Sequence, residues 1–547
     1  MRLINNRGYA WEQSGDLHFK GYLYTDSPSN GIQHLAERFR GKRTIGELST
    51  VIKEWNGCFA LVLDTEEFLF AAVDFIRSIP LFYRLDDKLE LSDTAAQLLK
   101  GKLTIDEVAA AELLVSGITW GNRTLSEEIH GLGNGECLFY DKQRGTLEVL
   151  EYRNLSYEEK YSGSPEEWAK DLYEVYTKAA SRFVQDIQGR TIVIPLSGGE
   201  DSRLVVHALH EIGYEKVICY SYGKRGNFEG EISKKIADYL GYPWYFLEYD
   251  DLDWRAWYES EEFQDFSDYA SNLVSIPHFQ DFHAVKALVQ EGRIPEDAIF
   301  APGHTGDLLH GNHIPKLFLL RDQISKERLI TENLRELAGN AKWTAQVNSH
   351  RASMIQDMTK LLPPGGQYPR EKACELLEYY DWKEKHGKFL ANSIRVYEYF
   401  GHPWRMLLWD KEVVDFWMRV PIEYRYERNL HYIYTKAFQQ PLRDAIGAGP
   451  SRAPKLDLKY ELKDVVRLLS SELFRSLVAR RKNRELKGSY DTHIHRWYQI
   501  LSKEEFDSLS DRALNINGIV AIKHIERLRA HQHKGLSGAN TRTGGRE

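Results

Sequence analysis

Residues 197–202 read Ser-Gly-Gly-Glu-Asp-Ser. They sit between a continuous apolar run at 191–196 (TIVIPL) and a segment with helical spacing at 203–212. Gly198 and Gly199 let the backbone approach an anion closely, and the first turn of the following helix offers unpaired N–H groups and the positive end of its dipole. Ser197 and Ser202 add hydroxyl donors. Asp201 would repel a phosphate directly, but it suits a Mg²⁺ ion that bridges phosphate oxygens. The loop is not a Walker A loop, because no GxxxxGK[ST] occurs in the chain. The plain alternative is a turn capped by serine and aspartate; the position between a buried strand and a helix start favours the anion site.

Two other groups stand out. His304, His310 and His313 lie close together and raise a metal reading, but only His310 and His313 have suitable spacing and no third ligand with zinc-site spacing follows. In the segment 382–400 (WKEKHGKFLANSIRVYEYF), Lys388, Asn392 and Arg395 fall at i, i+4 and i+7. They share one helix face, which is either a solvated stripe or a surface for a carboxylate or polyphosphate.

The surrounding elements follow from hydrophobic rhythm. Up to about residue 155, short apolar runs such as 57–63 (GCFALVL) and 68–73 (FLFAAV), parted by a polar DTEE turn, predict hairpins in an α+β layer arrangement. From 165 the rhythm changes. Buried strands at 191–196, 216–222, 244–249 and 298–301 alternate with helical segments, which predicts a doubly wound parallel sheet. The region after about 317 is mostly helical. The expected units are 1–155, 165–480 and a helical extension at 481–547 that ends in a disordered Gly/Thr/Arg-rich tail.

With 547 residues, 42% apolar and 28% charged, the chain is long enough for two or three cores of ordinary soluble type. A formal charge of -8 spread over that length points to neither nucleic acid nor an anionic membrane as partner. The four cysteines, at 58, 137, 219 and 374, form no CxxC pair, which argues against a disulfide framework or a thiolate zinc site. The first residues lack the apolar run of a signal peptide, and no apolar stretch reaches membrane-spanning length. The expected compartment is the cytoplasm, and the sequons at Asn122 and Asn154 are then chance matches.

The segment 196–202 (LSGGEDS) resembles the pyrophosphate loop, SGGxDS, of N-type ATP pyrophosphatases, which cleave ATP between the α and β phosphates. Further segments resemble asparagine synthetases of the glutamine-hydrolysing type. These are 56–83 (NGCFALVLDTEEFLFAAVDFIRSIPLFY), 123–136 (RTLSEEIHGLGNGE), 303–311 (GHTGDLLHG) and 405–410 (RMLLWD), in the family's order. The resemblance implies an N-terminal Ntn-hydrolase-type αββα domain, followed by an ATP-pyrophosphatase domain. It implies ATP on Leu196, Ser197, Gly198, Gly199, Glu200, Asp201 and Ser202, with Tyr222 and Gly303 alongside and adenine near 220–223. Asp201 and Asp307 would hold Mg²⁺. Lys455 would stabilise charge at the reacting centre, with Lys436 as the competitor; apart from the resemblance, Glu398 on the 382–400 segment is read as a residue that orients a base. The implied reaction is adenylation of a carboxylic acid, then attack by an amine or ammonia with release of AMP: the work of a carbon–nitrogen ligase. A homodimer or a partner glutaminase fits that scheme.

Two departures qualify it. The family's glutaminase half attacks with a cysteine directly after the initiator Met; here position 2 is Arg2, so that half is expected to be inert, as in beta-lactam synthetase. In GHTGDLLHG the acidic pair is reduced to Asp307, and His304 replaces the family's first glutamate. His304 is then either a general base for the incoming amine or a ligand of phosphate or the loop backbone. The rival readings are an inactive scaffold that keeps the fold, and a thiolation or NAD-synthetase-like relative.

Overall fold

The structure, a computed structural model, describes residues 1–24, 31–448 and 481–534. The first half builds a six-stranded sheet from β1 (Glu12–Ser14), β2 (Leu17–Leu23), β3 (Gly57–Asp64), β4 (Phe68–Val73), β8 (Glu136–Asp141) and β9 (Thr146–Glu151), in that spatial order and antiparallel throughout. The expected 57–73 hairpin is its centre. Side chains alternate along it: Phe59, Leu61, Phe68 and Phe70 pack towards helices α1 (Ile32–Arg38) and α2 (Ile45–Ile52), while Ala60, Val62, Leu69 and Ala71 enter the core on the other side. Burial on both faces explains why these strands read as continuous apolar runs. That second core also holds Leu81, which precedes β5, and Tyr83 and Leu91 of a three-stranded sheet, β6 (Leu89–Ser92), β5 (Phe82–Leu85) and β7 (His130–Gly131). Helix α2 starts on a capping box in which Thr44 and Glu47 satisfy each other's backbone N–H groups.

Residues 152–164 contain neither helix nor strand. Ser164 and Glu167 then form a second capping box, with Pro165 in the first turn, and start α3 (Pro165–Asp186). Beyond it lie four parallel strands: β10 (Ile192–Pro195), β11 (Val217–Gly223), β12 (Trp244–Glu248) and β13 (Ile299–Phe300). All four coincide with the runs expected from sequence. Their spatial order is β12-β11-β10-β13. The chain therefore winds one way from β10 to β12 and then returns to the opposite edge of β10. Helix α4 (Glu200–Glu211) joins β10 to β11, and α5 (Phe228–Leu240) joins β11 to β12. Pro403 and Arg405, at the RMLLWD segment, extend the edge by hydrogen bonds with Phe300 of 3.0 and 2.9 Å. One continuous apolar core joins this sheet to the first half, so the expected boundary near 155–165 is a break in the chain but not in the packing.

Within 481–534 there are helices at Lys503–Ser510 and Ile516–Lys534. The expected tail beyond 534 lies outside the described residues. All four cysteines are free and buried. Among the described residues, no helix is long and apolar enough to cross a membrane. The segment expected as one helix over 382–400 is instead a π-helical stretch, Trp382–Leu390, followed by an α-helix at Arg395–Tyr399.

Candidate functional site

The strand order reverses between β10 and β13, and a crevice at the carboxyl ends of the strands is the usual ligand site in such sheets. The two loops that leave these strands are 197–202 and 303–311. They touch. A Cβ on Gly303 would lie 2.5 Å from the backbone nitrogen of Ser202, and one on Gly306 would lie 2.5 Å from the Asp201 carboxylate. Within the first loop, Ser197 Oγ accepts from Gly199 N–H at 3.1 Å, and Ser202 Oγ accepts from Ser197 N–H at 3.2 Å. The N-cap of α4 is Gly199, which has no side chain to cap the first turn, so among the described residues the turn's N–H groups remain available to an anion.

The charges around this turn come from distant segments. Arg428 Nη1 stands 3.4 Å from Asp201 Oδ1, Arg443 donates to Glu200 Oε1 at 3.0 Å, and Arg203 donates to the Gly198 carbonyl at 3.1 Å. His431 Nε2 lies 3.4 Å from Glu200 Oε2, and the buried His310 ring lies 3.7 Å from Asp201. Burial pushes the Asp201 carboxyl up; Arg428 and His431 oppose this, while the carboxylates of Asp307 and Glu200 add to it. Glu200 behaves oppositely. Burial raises it, but hydrogen bonding to His431 and Arg443 overcomes that and holds it at about 2. Asp307 keeps its charge by the same balance: burial works against ionisation, and the hydrogen bond from His313 with the field of His386 outweighs it.

Backbone strain gathers at the same place. Thr305 has φ 78°, and Glu427 and Arg428 have φ 47° and 63°. Left-handed backbone is unfavourable for such residues, and for a β-branched threonine most of all. The pair at 427–428 turns the chain so that Arg428 faces Asp201, and Thr305 lets the second loop fold onto the first.

Behind the second loop, Arg425 and Glu378 form a two-pronged pair at 2.8 and 2.9 Å with both side chains fully buried. Arg425 also donates to the carbonyls of Leu309 and Leu308 at 3.0 and 3.1 Å. This pair braces the 303–311 loop from inside the protein.

The expected site residues therefore divide. Ser197, Gly198, Gly199, Glu200, Asp201, Ser202, Gly303 and Asp307 come together. Leu196 belongs to the same turn, but its side chain is in the core, and only its backbone faces the neighbouring strand, through a 2.8 Å bond to the Tyr220 carbonyl. Tyr222 is half-buried and stacks on Tyr249 and against His495, so the C-terminal extension covers part of the surface expected for adenine. Tyr220 is fully buried and turns into the core. His304 lies on the second loop, with Ser393 Oγ 3.1 Å from its Nδ1. Burial pushes its imidazole down to about 3, with the nearby rings of His278 and His386 acting in the same direction. A ring that weakly basic differs from the near-neutral base expected from sequence.

Glu398 is placed elsewhere. It is fully buried, accepts from Tyr269 Oη at 2.6 Å and Trp404 Nε1 at 2.9 Å, and pairs with Arg395. These bonds take up its carboxylate beside Gly8, so it orients no base near His304. Neither expected reading of the stripe at Lys388, Asn392 and Arg395 fits: all three are buried. Lys388 donates to Glu384 and to carbonyls at 119 and 121, and Arg395 to the Ser78 carbonyl, so these two join the halves of the protein, while Asn392 donates to Ser275 within the second half. Lys436 is exposed, on the helix Asn429–Phe438. Lys455 lies outside the described residues.

Position 2 is equally clear. Arg2 pairs with the edge of β6 through its backbone, and its side chain faces solvent near Glu90. Cys58, the nearest thiol in sequence, is buried within β3; burial and the charge of Asp74 push its pKa up, so it is an inert thiol.

Sequence reasoning missed Arg428, Arg443, His431 and the Glu378–Arg425 pair. None belongs to a local motif, and only the run of charged and polar residues at 423–429 (EYRYERN) within an otherwise apolar helical region marked the segment.

No family model matches the chain, and no curated protein sequence matches it. Among solved structures, matches include the allosteric regulatory enzyme of purine biosynthesis, at 12% identity and TM-score 0.18, over 44% of this chain and 62% of that one. Another is the glutamine phosphoribosylpyrophosphate amidotransferase from B. subtilis complexed with ADP and GMP, at 12% identity and TM-score 0.18, over 55% and 63%. The match thus spans less than two thirds of either protein's length. A likeness of that size carries no argument about activity. The mixed α/β character rests on the strand topology above.

Proposed function

We propose that this protein is an ATP-dependent carbon–nitrogen ligase of the asparagine-synthetase type, in which the first half is a glutaminase-like Ntn layer without its reaction. On this reading the second half is an ATP-pyrophosphatase fold. A substrate carboxylate is activated as its acyl-adenylate with release of pyrophosphate, and an amine or ammonia then displaces AMP. Activation is required because a carboxylate is a poor electrophile.

The observation that carries the reading is the contact of the two glycine-bearing loops at the reversal point of the parallel sheet, with Gly306 against the Asp201 carboxylate. Asp201 and Asp307 supply hard oxygen donors on adjoining loops, a set that fits Mg²⁺ with its remaining positions taken by water and phosphate. When bound, that ion offsets the negative charge of the phosphates. The uncapped α4 terminus and the hydroxyls of Ser197 and Ser202 bind phosphate oxygens, and Arg428 adds a fixed positive charge that persists through the reaction. His304, on the same loop, either accepts the proton of the incoming amine or binds phosphate.

ATP–pyrophosphate exchange with a panel of carboxylic acids, aspartate first, tests the proposal. Exchange that depends on one acid and disappears in Asp201→Asn is the expected result. A protein that binds no nucleotide and exchanges with no acid, small or peptidic, is instead a scaffold.

A further inference from the structure

The cluster beside this site contains groups that the proposed reaction does not use. His313, Asp381 and His386 present donor atoms that all lie within 4.8 Å of one another. His386 is 1% exposed, and among the described residues neither of its ring nitrogens has a hydrogen-bond partner. Its Nε2 stands 3.3 Å from Asp381 Oδ2, off the line of a hydrogen bond. Asp381 Oδ2 also meets His313 Nδ1 at 2.5 Å. A buried imidazole without hydrogen-bond partners is costly, and its retention calls for an occupant.

Local structure explains how these groups meet. Asp381 and His386 are five residues apart. In an α-helix, at about 100° per residue, residues five apart diverge by roughly 140°. The π-helical stretch Trp382–Leu390 has an i→i+5 repeat, which brings the two side chains to one face. Such stretches are rare and often mark functional sites. His313 reaches this face from the loop after β13. Its second nitrogen, Nε2, lies 3.2 Å from Asp307 Oδ2. A carboxylate on the far nitrogen of a histidine is the usual outer support of a metal-binding imidazole, fixing its tautomer and ring plane.

We propose that His313, Asp381 and His386 form a binding site for a first-row transition-metal dication, Zn²⁺ by preference, adjoining the loops at Asp201 and Asp307 but distinct from them. Two imidazole nitrogens and one carboxylate oxygen suit zinc, whereas magnesium takes an all-oxygen set. Ligand atoms about 2.0–2.1 Å from a tetrahedral zinc stand roughly 3.3 Å apart. The Asp381–His386 separation already has that value. His313 Nδ1 gives up its hydrogen bond to Asp381, and the ion takes the place of the shared proton. Three protein ligands leave a fourth position for water or substrate. His313, the most exposed of the three at 14%, marks the open side.

The test needs no ATP, so its outcome is independent of the ligase reading. The full chain is stripped with chelator, equilibrated with Zn²⁺ alone, dialysed, and its metal content measured; Co²⁺ in place of Zn²⁺ reports coordination through its visible bands. One Zn²⁺ per chain, a tetrahedral-type Co²⁺ spectrum and at least about 100-fold weaker binding in His386→Ala and Asp381→Asn are expected, with Asp201→Asn unchanged. Wild-type protein that retains no Zn²⁺ overturns the proposal, and needs no variant to fold. Equal loss in Asp201→Asn also overturns it, by placing the ion at the nucleotide loop.

Discussion

Gly306 lies directly against Asp201: a Cβ at 306 would stand 2.5 Å from both Cγ and Oδ1 of that carboxylate. The two residues are far apart in sequence and follow two different strands, so the contact records how closely the loops after β10 and β13 are pressed together. Gly306→Ala is expected to displace Asp201 and abolish exchange activity while the melting temperature shifts little, because the strain is relieved at an aspartate that is not part of the core. Unaltered exchange in this variant would show that the carboxylate position is not critical.

Arg425→Ala should do the reverse. It leaves the Glu378 carboxylate buried without its partner, and breaking such a pair costs about 3–5 kcal/mol. Two carbonyls of the 303–311 loop lose their donor as well. Chemical denaturation should show a loss of that size, with nucleotide binding weakened in the fraction that remains folded. A loss under about 1 kcal/mol would show that the pair is solvated in solution.

His304 is expected to stay neutral across the ordinary range. With its pKa lowered to about 3 by burial, the ring is protonated only below that value, so the free protein should show no titration of this ring between about pH 5 and 8. Amide formation should then lack an acid limb at the usual imidazole pKa. His304→Ala separates its two roles. A base lost after adenylation slows amide formation by about 100-fold to 10,000-fold while exchange survives. Equal losses in both steps mark a phosphate ligand instead.

Purified protein should release no glutamate from glutamine. Arg2 cannot act as a nucleophile, and the Cys58 thiol is buried within a strand. Glutamate release that persists in Cys58→Ser would mean that the first half carries a nucleophile of another kind.

Asp201→Asn and Asp307→Asn should each weaken Mg²⁺-dependent nucleotide binding, and acid should do so in the wild type. Burial raises the Asp201 pKa, so protons compete with the metal at a higher pH than at an ordinary aspartate. Mg²⁺-dependent affinity is therefore expected to fall as pH is lowered towards that raised value and to recover on raising it again. An affinity flat across the acid range would remove Asp201 from the metal.

The sequence by itself marked the strands and the glycine-bearing turn between strand and helix. Continuous apolar runs marked β3, β4 and the four parallel strands, because those strands are covered on both faces and period-two alternation is lost. The turn at 197–202 was legible because glycine, serine and aspartate at fixed offsets between strand and helix serve few purposes. Tertiary structure alone decided the rest. Lys388, Asn392 and Arg395 had the spacing of a helix face, but spacing does not say which way a face turns; all three turn inward, and Lys388 and Arg395 join the halves of the protein. Glu398 was polar and near a motif, yet packing bound its carboxylate to Tyr269, Trp404 and Arg395. Arg428 reached Asp201 only because the chain takes two left-handed residues in succession, a conformation that the side-chain types at 427 and 428 do not prefer. Asp381 and His386 share a face only because the helix widens to a π turn there, wedged so tightly that Gly387 has no room for a Cβ beside Asn134. Local residue types set what each segment can form; the competition for buried space and buried hydrogen bonds set which side chains meet.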